Sequence, residues 1–202
     1  MLLDDEELVL ICDWEVCKQL FQNMDRFLEH VAQHAGQVDV DDKGSVTCMW
    51  EDCGFVTSDQ NEMTRHIYYH AYHTKIKCLG ANLIEKLGLQ SCKRDSKTRN
   101  VVPELTEPLI CLWVDCQLEF LSVQEFYWHV HTHFSSNDSG GENAKKCLWG
   151  NCKKAFKDKS KLKNHLKSHS QEKTIACPTC GSLFVNCTLF RDHCLRQLPP
   201  DG

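Results

Sequence analysis

No run of 18 apolar residues occurs in the sequence, so no segment reads as a membrane-spanning helix. Although 202 residues would normally make one or two domains, no long stretch reads as an ordinary hydrophobic core. Nor is the chain basic, with 23 Lys and Arg against 28 Asp and Glu and a formal net charge of −5. Asp4, Asp5, Glu6 and Glu7 crowd the N-terminus, so that end does not read as a secretory signal. What the chain has in quantity is 14 Cys and 11 His. Without a secretory signal, such thiols belong in a reducing compartment as metal ligands rather than disulfides.

Their spacing names the metal. Cys12, Cys17, His30 and His34 form C-x4-C-x12-H-x3-H. The same pattern recurs at Cys48, Cys53, His66 and His70, at Cys111, Cys116, His129 and His133, and at Cys147, Cys152, His165 and His169. Two thiolates on a tight β-turn and two imidazoles one helical turn apart close a tetrahedron around one zinc ion. A fifth unit opens at Cys177 and Cys180 and supplies His193, with no fourth ligand beside it. Gln197, four residues past His193, is a weak ligand, and neighbouring Cys194 diverges from His193 by about 100° on a helix. Four complete zinc sites and one incomplete site are therefore expected. The ending LPPDG has no finishing element, so a fragment of a longer array is expected.

The expected fold class is small zinc-stabilised ββα domains: tandem C2H2 zinc fingers. The domains are finger 1 with its acidic N-terminus (1–34), finger 2 (48–70), a linker with a helical extension (71–110), finger 3 (111–133), finger 4 (147–169) and an incomplete or degenerate finger 5 (177–202). Each unit is too small to fold without its ion, which supplies on the order of 10 kcal/mol. Core pairs recur as Phe21 and Phe27, Phe120 and Phe126, Phe156 and Leu162, and Phe184 and Phe190. Finger 2 departs from this, with Thr57 at the first place, Phe55 as its substitute and Met63 at the second. Its hairpin is expected to be the least regular.

Fingers 1–4 each carry a Trp inside the Cys turn: Trp14, Trp50, Trp113 and Trp149. An indole there needs cover, because burying it removes about 150–250 Å² from water. The arrangement resembles the tryptophan-bearing fingers of the GLI and ZIC families, which pack in pairs; the simpler alternative is that each Trp covers its own zinc site. Cys12 to Cys48 and Cys111 to Cys147 are both 36 residues apart, which supports paired fingers 1–2 and 3–4.

Charge separates the units. Residues 1–34 hold eight acids and two bases, finger 2 four acids and one base, and finger 3 three acids and no base. Finger 4 reverses this, with Lys153, Lys154, Lys157, Lys159, Lys161, Lys163 and Lys167 against Asp158 alone. A polyanion responds to local positive density, so finger 4 is the best nucleic-acid candidate. The connector Ser170–Ala176 has the length and Glu-Lys centre of a linker that lets successive fingers track the major groove. Base-facing positions would then be Asp158, Ser160, Lys161 and Asn164 in finger 4, and Asn186, Thr188, Leu189 and Asp192 in finger 5. Finger 3 would present Trp128, which suits a packed contact better than a base. The insert from Ala71 to Ile110 reads as a solvated, partly mobile connector, with the basic residues Lys93, Arg94, Lys97 and Arg99 as an accessory contact in the alternative. His73 and His131 read as non-ligands, and Cys78 and Cys92 have no evident partner.

Several stretches carry a more specific likeness. The four Trp-bearing fingers, HIYYHAYHTKIK after finger 2, TRNVVP before finger 3 and FKDKSKLKNHLKSHSQEKTIACPTCG resemble the histone H4 transcription factor (histone nuclear factor P) family. The resemblance covers roughly residues 8–197. It implies a nuclear regulator that binds double-stranded DNA at histone gene promoters, through a CG-containing element. It also implies further fingers beyond this region, methyl-CpG-binding co-regulators as partners, and a fifth finger lacking its normal last ligand, with Gln197 in register.

The expected function is thus sequence-specific DNA binding by fingers 4–5, with fingers 1–3 as scaffold or partner surface. The alternative is a protein-interaction module that leaves DNA untouched; RNA binding is weaker, since base-facing positions carry few aromatics. No small-molecule substrate or membrane is implied. An enzyme is not expected either, because HVAQH, HIYYH, HVHTH and HLKSH all lack the Glu that a zinc hydrolase places after the first His.

Overall fold

A computed structural model describes residues 7–135 and 145–196. Gln197 lies outside the described residues. Five two-stranded hairpins each precede a helix. They are β1 (Leu10–Ile11), β2 (Leu20–Phe21) and α1 (Met24–Ala35); β3 (Val46–Thr47), β4 (Val56–Thr57) and α2 (Gln60–Leu87); β5 (Leu109–Ile110), β6 (Glu119–Phe120) and α3 (Val123–Ser135); β7 (Lys145–Lys146), β8 (Ala155–Phe156) and α4 (Lys159–Ser170); and β9 (Ile175–Ala176), β10 (Leu183–Phe184) and α5 (Cys187–Leu195). Strands of two residues have no stability of their own in water, so each hairpin depends on what it packs against. Helix starts are written locally: Asn23, Asp59, Asp158 and Asn186 cap α1, α2, α4 and α5 by accepting backbone N–H groups of the first turn.

The chain divides into two compact bodies. One contains fingers 1 and 2, the insert and finger 5, and the other, Glu107–Glu172, contains fingers 3 and 4. In the first body, α1 packs on α2, and one continuous core joins Leu10, Phe27 and Val31 of finger 1 to Val46, Trp50, Met63 and Ile67 of finger 2. The Cys turns pair directly. Glu15 N–H donates to the Met49 carbonyl (3.0 Å) and Glu51 N–H to that of Asp13 (2.8 Å), so Trp14 and Trp50 face each other in a short antiparallel bridge. Lys18 Nζ donates to Asp13 Oδ1 (2.9 Å) and to Glu51 Oε2, holding two acids that would otherwise repel across the pair. The second body repeats the device. Val114 N–H donates to the Leu148 carbonyl (2.9 Å), Gly150 N–H to that of Leu112 (2.7 Å), and Trp113 faces Trp149.

Finger 2 is not the irregular hairpin expected. It pairs Val46 with Thr57 and Thr47 with Val56, in the register of Leu10–Phe21 and Ile11–Leu20. As expected, Phe55 supplies the missing ring from two residues earlier, stacking on His66 at 4.1 Å, as Phe21 packs on His30 at 4.8 Å. The hairpin backbone follows the Cys turn, and the ring needs only to reach the histidine.

The helical extension expected in the insert is present and stops at Gly88, but the insert is not a free connector: its helical part is buried and its largely exposed return is tied to that helix. α2 runs 28 residues, continuing past His70 for roughly five more turns. His73, Ile76, Lys77, Leu79 and Leu83 are all buried on that extension. The returning chain is tied to the same helix. Arg65 Nε and Nη2 donate to the carbonyls of Leu105 (3.0 Å) and Thr106 (3.1 Å). Lys77 Nζ donates to Asn100 Oδ1 (2.6 Å), and Asn100 Nδ2 donates on to the Glu51 carbonyl (2.9 Å). A buried ammonium is tolerable only with such a partner.

Finger 5 docks on this extension. β9 crosses α2 where Gly80 leaves room for the Ala176 carbonyl. Nearby, His73 Nε2–H donates to the Gly181 carbonyl (2.9 Å) and Tyr72 Oη–H donates to that of Lys173. Leu83, Ile175, Phe190 and Cys194 form the core between them. The connector Ser170–Ala176 has its two ends held in different bodies. Glu172 is buried and accepts from His131 Nε2–H (2.9 Å) within the second body. Within the first, Thr174 N–H donates to the Phe184 carbonyl (2.9 Å) and its hydroxyl to that of Val185 (3.0 Å).

Candidate metal centres and nucleic-acid interface

Each hairpin presents its cysteines to the inner face of the helix that follows. The result is four clusters of two thiols and two imidazoles: Cys12, Cys17, His30 and His34; Cys48, Cys53, His66 and His70; Cys111, Cys116, His129 and His133; and Cys147, Cys152, His165 and His169. Within every cluster the donor atoms lie within 4.8 Å of one another. The imidazole Nε2 atoms are separated by 3.2, 3.1, 3.1 and 3.1 Å in fingers 1 to 4. Sulfur lies 3.3 Å from nitrogen at Cys17–His30, 3.2 Å at Cys53–His66, 3.1 Å at Cys116–His129 and 3.4 Å at Cys152–His165. Ligands bonded tetrahedrally at about 2.0 and 2.3 Å would stand roughly 3.3–3.6 Å apart, so these donors surround a space of zinc size.

Their electrostatics call for a cation. Burial pushes the thiols of Cys12 and Cys177 up to about 12 and those of Cys111 and Cys147 up to about 11. Burial likewise lowers the imidazoles of His30, His34, His129, His133, His165 and His169, and takes His70 down to about 4. The hydrogen bond with Cys48 lowers the Cys53 thiol, but at Cys12, Cys111, Cys147 and Cys177 burial favours the neutral thiol. Only a bound cation makes thiolates favourable there, and a neutral imidazole is the form that ligates. These donor sets fit zinc.

Each Trp does both things weighed for it: besides pairing finger with finger, it lies flat on its own site's second histidine. Trp14 stacks on His34 (5.2 Å, 13°), Trp50 on His70 (4.8 Å, 3°), Trp113 on His133 (5.1 Å, 7°) and Trp149 on His169 (5.6 Å, 9°). One side chain thus shields a ligand from water and helps form the seam of the pair.

The fifth site is where the sequence expectation of an incomplete set fails. Cys177, Cys180 and His193 are joined by Cys92, giving a buried Cys3His cluster. Cys92 comes from the insert, 85 residues before Cys177. It arrives because α2 ends at Leu87 beside finger 5 and the chain then turns back over Leu83 and Phe190. No repeat period could have shown this. The available signal was a pairing of deficits: a finger short of one ligand, and a spare cysteine in an unexplained insert. His73 and Cys78 stand outside all five clusters, Cys78 accepting Val9 N–H at 3.3 Å. His131 stands outside them as well.

The residues expected to face DNA separate between the two bodies. On finger 4, Lys153, Lys154, Lys157, Ser160, Lys161 and Asn164 are exposed. Asp158 is exposed too, but its carboxylate caps α4, accepting Lys161 N–H at 2.8 Å, with Lys161 Nζ 3.6 Å away. On finger 5, Asn186, Thr188 and Leu189 are exposed, and Asn186 Oδ1 caps α5 by accepting Leu189 N–H (3.0 Å).

No family model matches the chain. Its sequence is 38% identical to human histone H4 transcription factor over 97% of this chain and 42% of that protein. The bovine histone H4 transcription factor is 36% identical over 95% of this chain and 40% of its own length. A third relative, zinc finger protein ZIC 2-B of Xenopus laevis, is 33% identical over 40% of the chain and 19% of its own length. The chain belongs to the C2H2 zinc-finger proteins. Its likeness to the histone H4 transcription factors spans all five fingers and the insert, while the chain spans about two fifths of those relatives' length. The Cys3His fifth finger is thus a variant within an array of C2H2 fingers.

Proposed function

We propose that the chain is the DNA-contacting and partner-binding region of a nuclear transcription regulator. The observation carrying this reading is the lysine surface of finger 4. Lys153, Lys154, Lys157 and Lys161 are exposed, and the one acid among them is engaged at the helix N-terminus. Such a surface neutralises phosphates and releases their counterions. In the usual docking of a ββα finger, the residues at and just after the helix start meet base edges. Lys161 suits guanine and Asn164 adenine, with Ser160 accepting either; Asn186, Thr188 and Leu189 are the corresponding group on finger 5. Similarity to histone H4 transcription factors supports histone gene promoter DNA as the target, and the family resemblance adds a methyl-CpG-binding co-regulator as a partner. Fingers 1–3, acidic and sealed in pairs or against the insert, serve as scaffold and partner surface. Trp128 on α3, 69% exposed, suits a protein contact.

The test is duplex binding by the zinc-loaded chain, measured against a histone H4 promoter fragment across a salt series. Replacing Lys153, Lys154, Lys157 and Lys161 together by Ala should flatten the slope of log K against log salt by about 3–4, at roughly 0.9 for each phosphate no longer neutralised. An unchanged slope and affinity would refute the role of finger 4.

A further inference from the structure

The Cys3His site does something that the other four do not: it fixes a distant piece of chain beside a finger. Immediately after Cys92 come Lys93, Arg94, Lys97 and Arg99, all exposed, with Asp95 the one acid among them. A free segment of this composition would be a solvated charge run. Here it is pinned along its length. Cys92 Sγ sits in the cluster with Cys177, Cys180 and His193 and accepts Arg94 N–H at 3.3 Å. Asp95 Oδ1 accepts Lys97 N–H (2.9 Å) and caps the short 3-10 turn Ser96–Thr98. Thr98 Oγ1–H donates to the Cys180 carbonyl at 2.8 Å. The carbonyls of Thr98 and Arg99 lie against Gly181, where a Cβ would come within 2.7 and 2.5 Å of them. Beyond the segment, Asn100 is buried and held by Lys77 and Glu51.

The segment's position gives the charges a purpose. Arg94 follows Cys92 by two residues, so its backbone stands beside the cluster that also takes in His193 of α5. α5 and its C-cap carry exposed Arg191 and Arg196 but little other positive charge. The Asp95–Lys97 ion pair, 3.8 Å apart with both side chains exposed, neutralises little. Four cations on a backbone already ordered would meet phosphates without the entropy loss of ordering a loop.

We infer that Lys93–Arg99 is a pre-ordered arm of finger 5, held there by Cys92, that grips the phosphate backbone of double-stranded DNA. This rests on the DNA-binding reading above and adds a contact that finger repeats do not contain. The experiment uses the full zinc-loaded chain, a mixed-sequence DNA duplex as probe, and zinc counting by mass spectrometry. The variant with Lys93→Ala, Arg94→Ala, Lys97→Ala and Arg99→Ala combined should keep five zinc ions, matching the five clusters. Its salt slope should fall by about 3–4. Cys92→Ser should lower the zinc count by one and flatten the slope as well, since the arm is released. Cys92→His, which restores a ligand, should recover both. A combined variant with the slope of the unmodified chain overturns the arm, and so does Cys92→Ser with its zinc count reduced but its slope intact. In either case the DNA reading stands, because the unmodified chain still binds. If the unmodified chain fails to bind the duplex, both readings fall together.

Discussion

Gly80 offers a test of finger 5 docking in which the sign of the effect decides. It lies inside α2, where replacing Gly by Ala ordinarily stabilises a helix by about 1 kcal/mol. An alanine Cβ at Gly80 would lie 2.0 Å from the Ala176 carbonyl oxygen, 3.2 Å from its carbon and 3.4 Å from Pro178 Cδ. Carbon and oxygen sit comfortably at about 3.3 Å, so β9 would have to withdraw by roughly 1 Å. The obstacle is backbone and cannot rotate aside. Overpacking of this kind costs about 1–3 kcal/mol. The His73–Gly181 and Tyr72–Lys173 hydrogen bonds, worth about 1 kcal/mol each, lie on the same seam. Net of the helix gain, Gly80→Ala should destabilise the zinc-loaded chain by about 2–4 kcal/mol in urea unfolding. The buried Cys194 thiol should also become open to alkylation under native conditions. A variant more stable than the parent, with Cys194 still protected, would refute the docking.

Two further outcomes follow from the packing. Trp50→Ala removes a ring that is 2% exposed and stacked on a ligand histidine, and should cost about 3–5 kcal/mol in the unfolding of the zinc-loaded chain. Trp128→Ala, at an exposed position, should change stability by no more than about 0.5 kcal/mol, and equal effects would contradict the assigned burial. Burial lowers the Lys77 ammonium to about 8 in the folded chain against 10.5 when unfolded, with nearby Arg99 adding to it. Between those values the unfolded state binds the extra proton, so stability should rise with pH from about 8 towards 10.5, by up to about 3 kcal/mol. Lys77→Met should lose that rise, which urea midpoints of both proteins across this range will show.

The zinc-ligating repeats were legible because each is a local object. Cys12 to His34 closes within one hairpin and one helix, so spacing alone states the chemistry, and the Trp of each turn announces the pair by recurring with it. In finger 2 the substitution of Phe55 for Thr57 was legible, but the regular register of its hairpin was not. Thr57 looks like a gap in the repeat, but the ring requirement is spatial, and Phe55 meets it from two residues earlier without disturbing the strands. The insert was opaque because its anchors are distant in sequence. Arg65 with Leu105, Lys77 with Asn100, and Thr98 with Cys180 are contacts that no periodicity encodes. Connector 170–176 was read from its length and composition, which say nothing of the partners that hold Glu172 and Thr174.

By itself the sequence determined how many metal-bound units the chain makes, which residues ligate in the first four, and which finger carries the positive charge. Those properties follow from ligand geometry and side-chain chemistry acting over a few dozen residues. Tertiary structure alone decided that finger 5 docks on the long helix of finger 2, and that Cys92 completes its site. Both outcomes depend on α2 carrying the chain across the first body before it turns back, so that burial and metal coordination, which act through space, could join residues the chain order keeps apart.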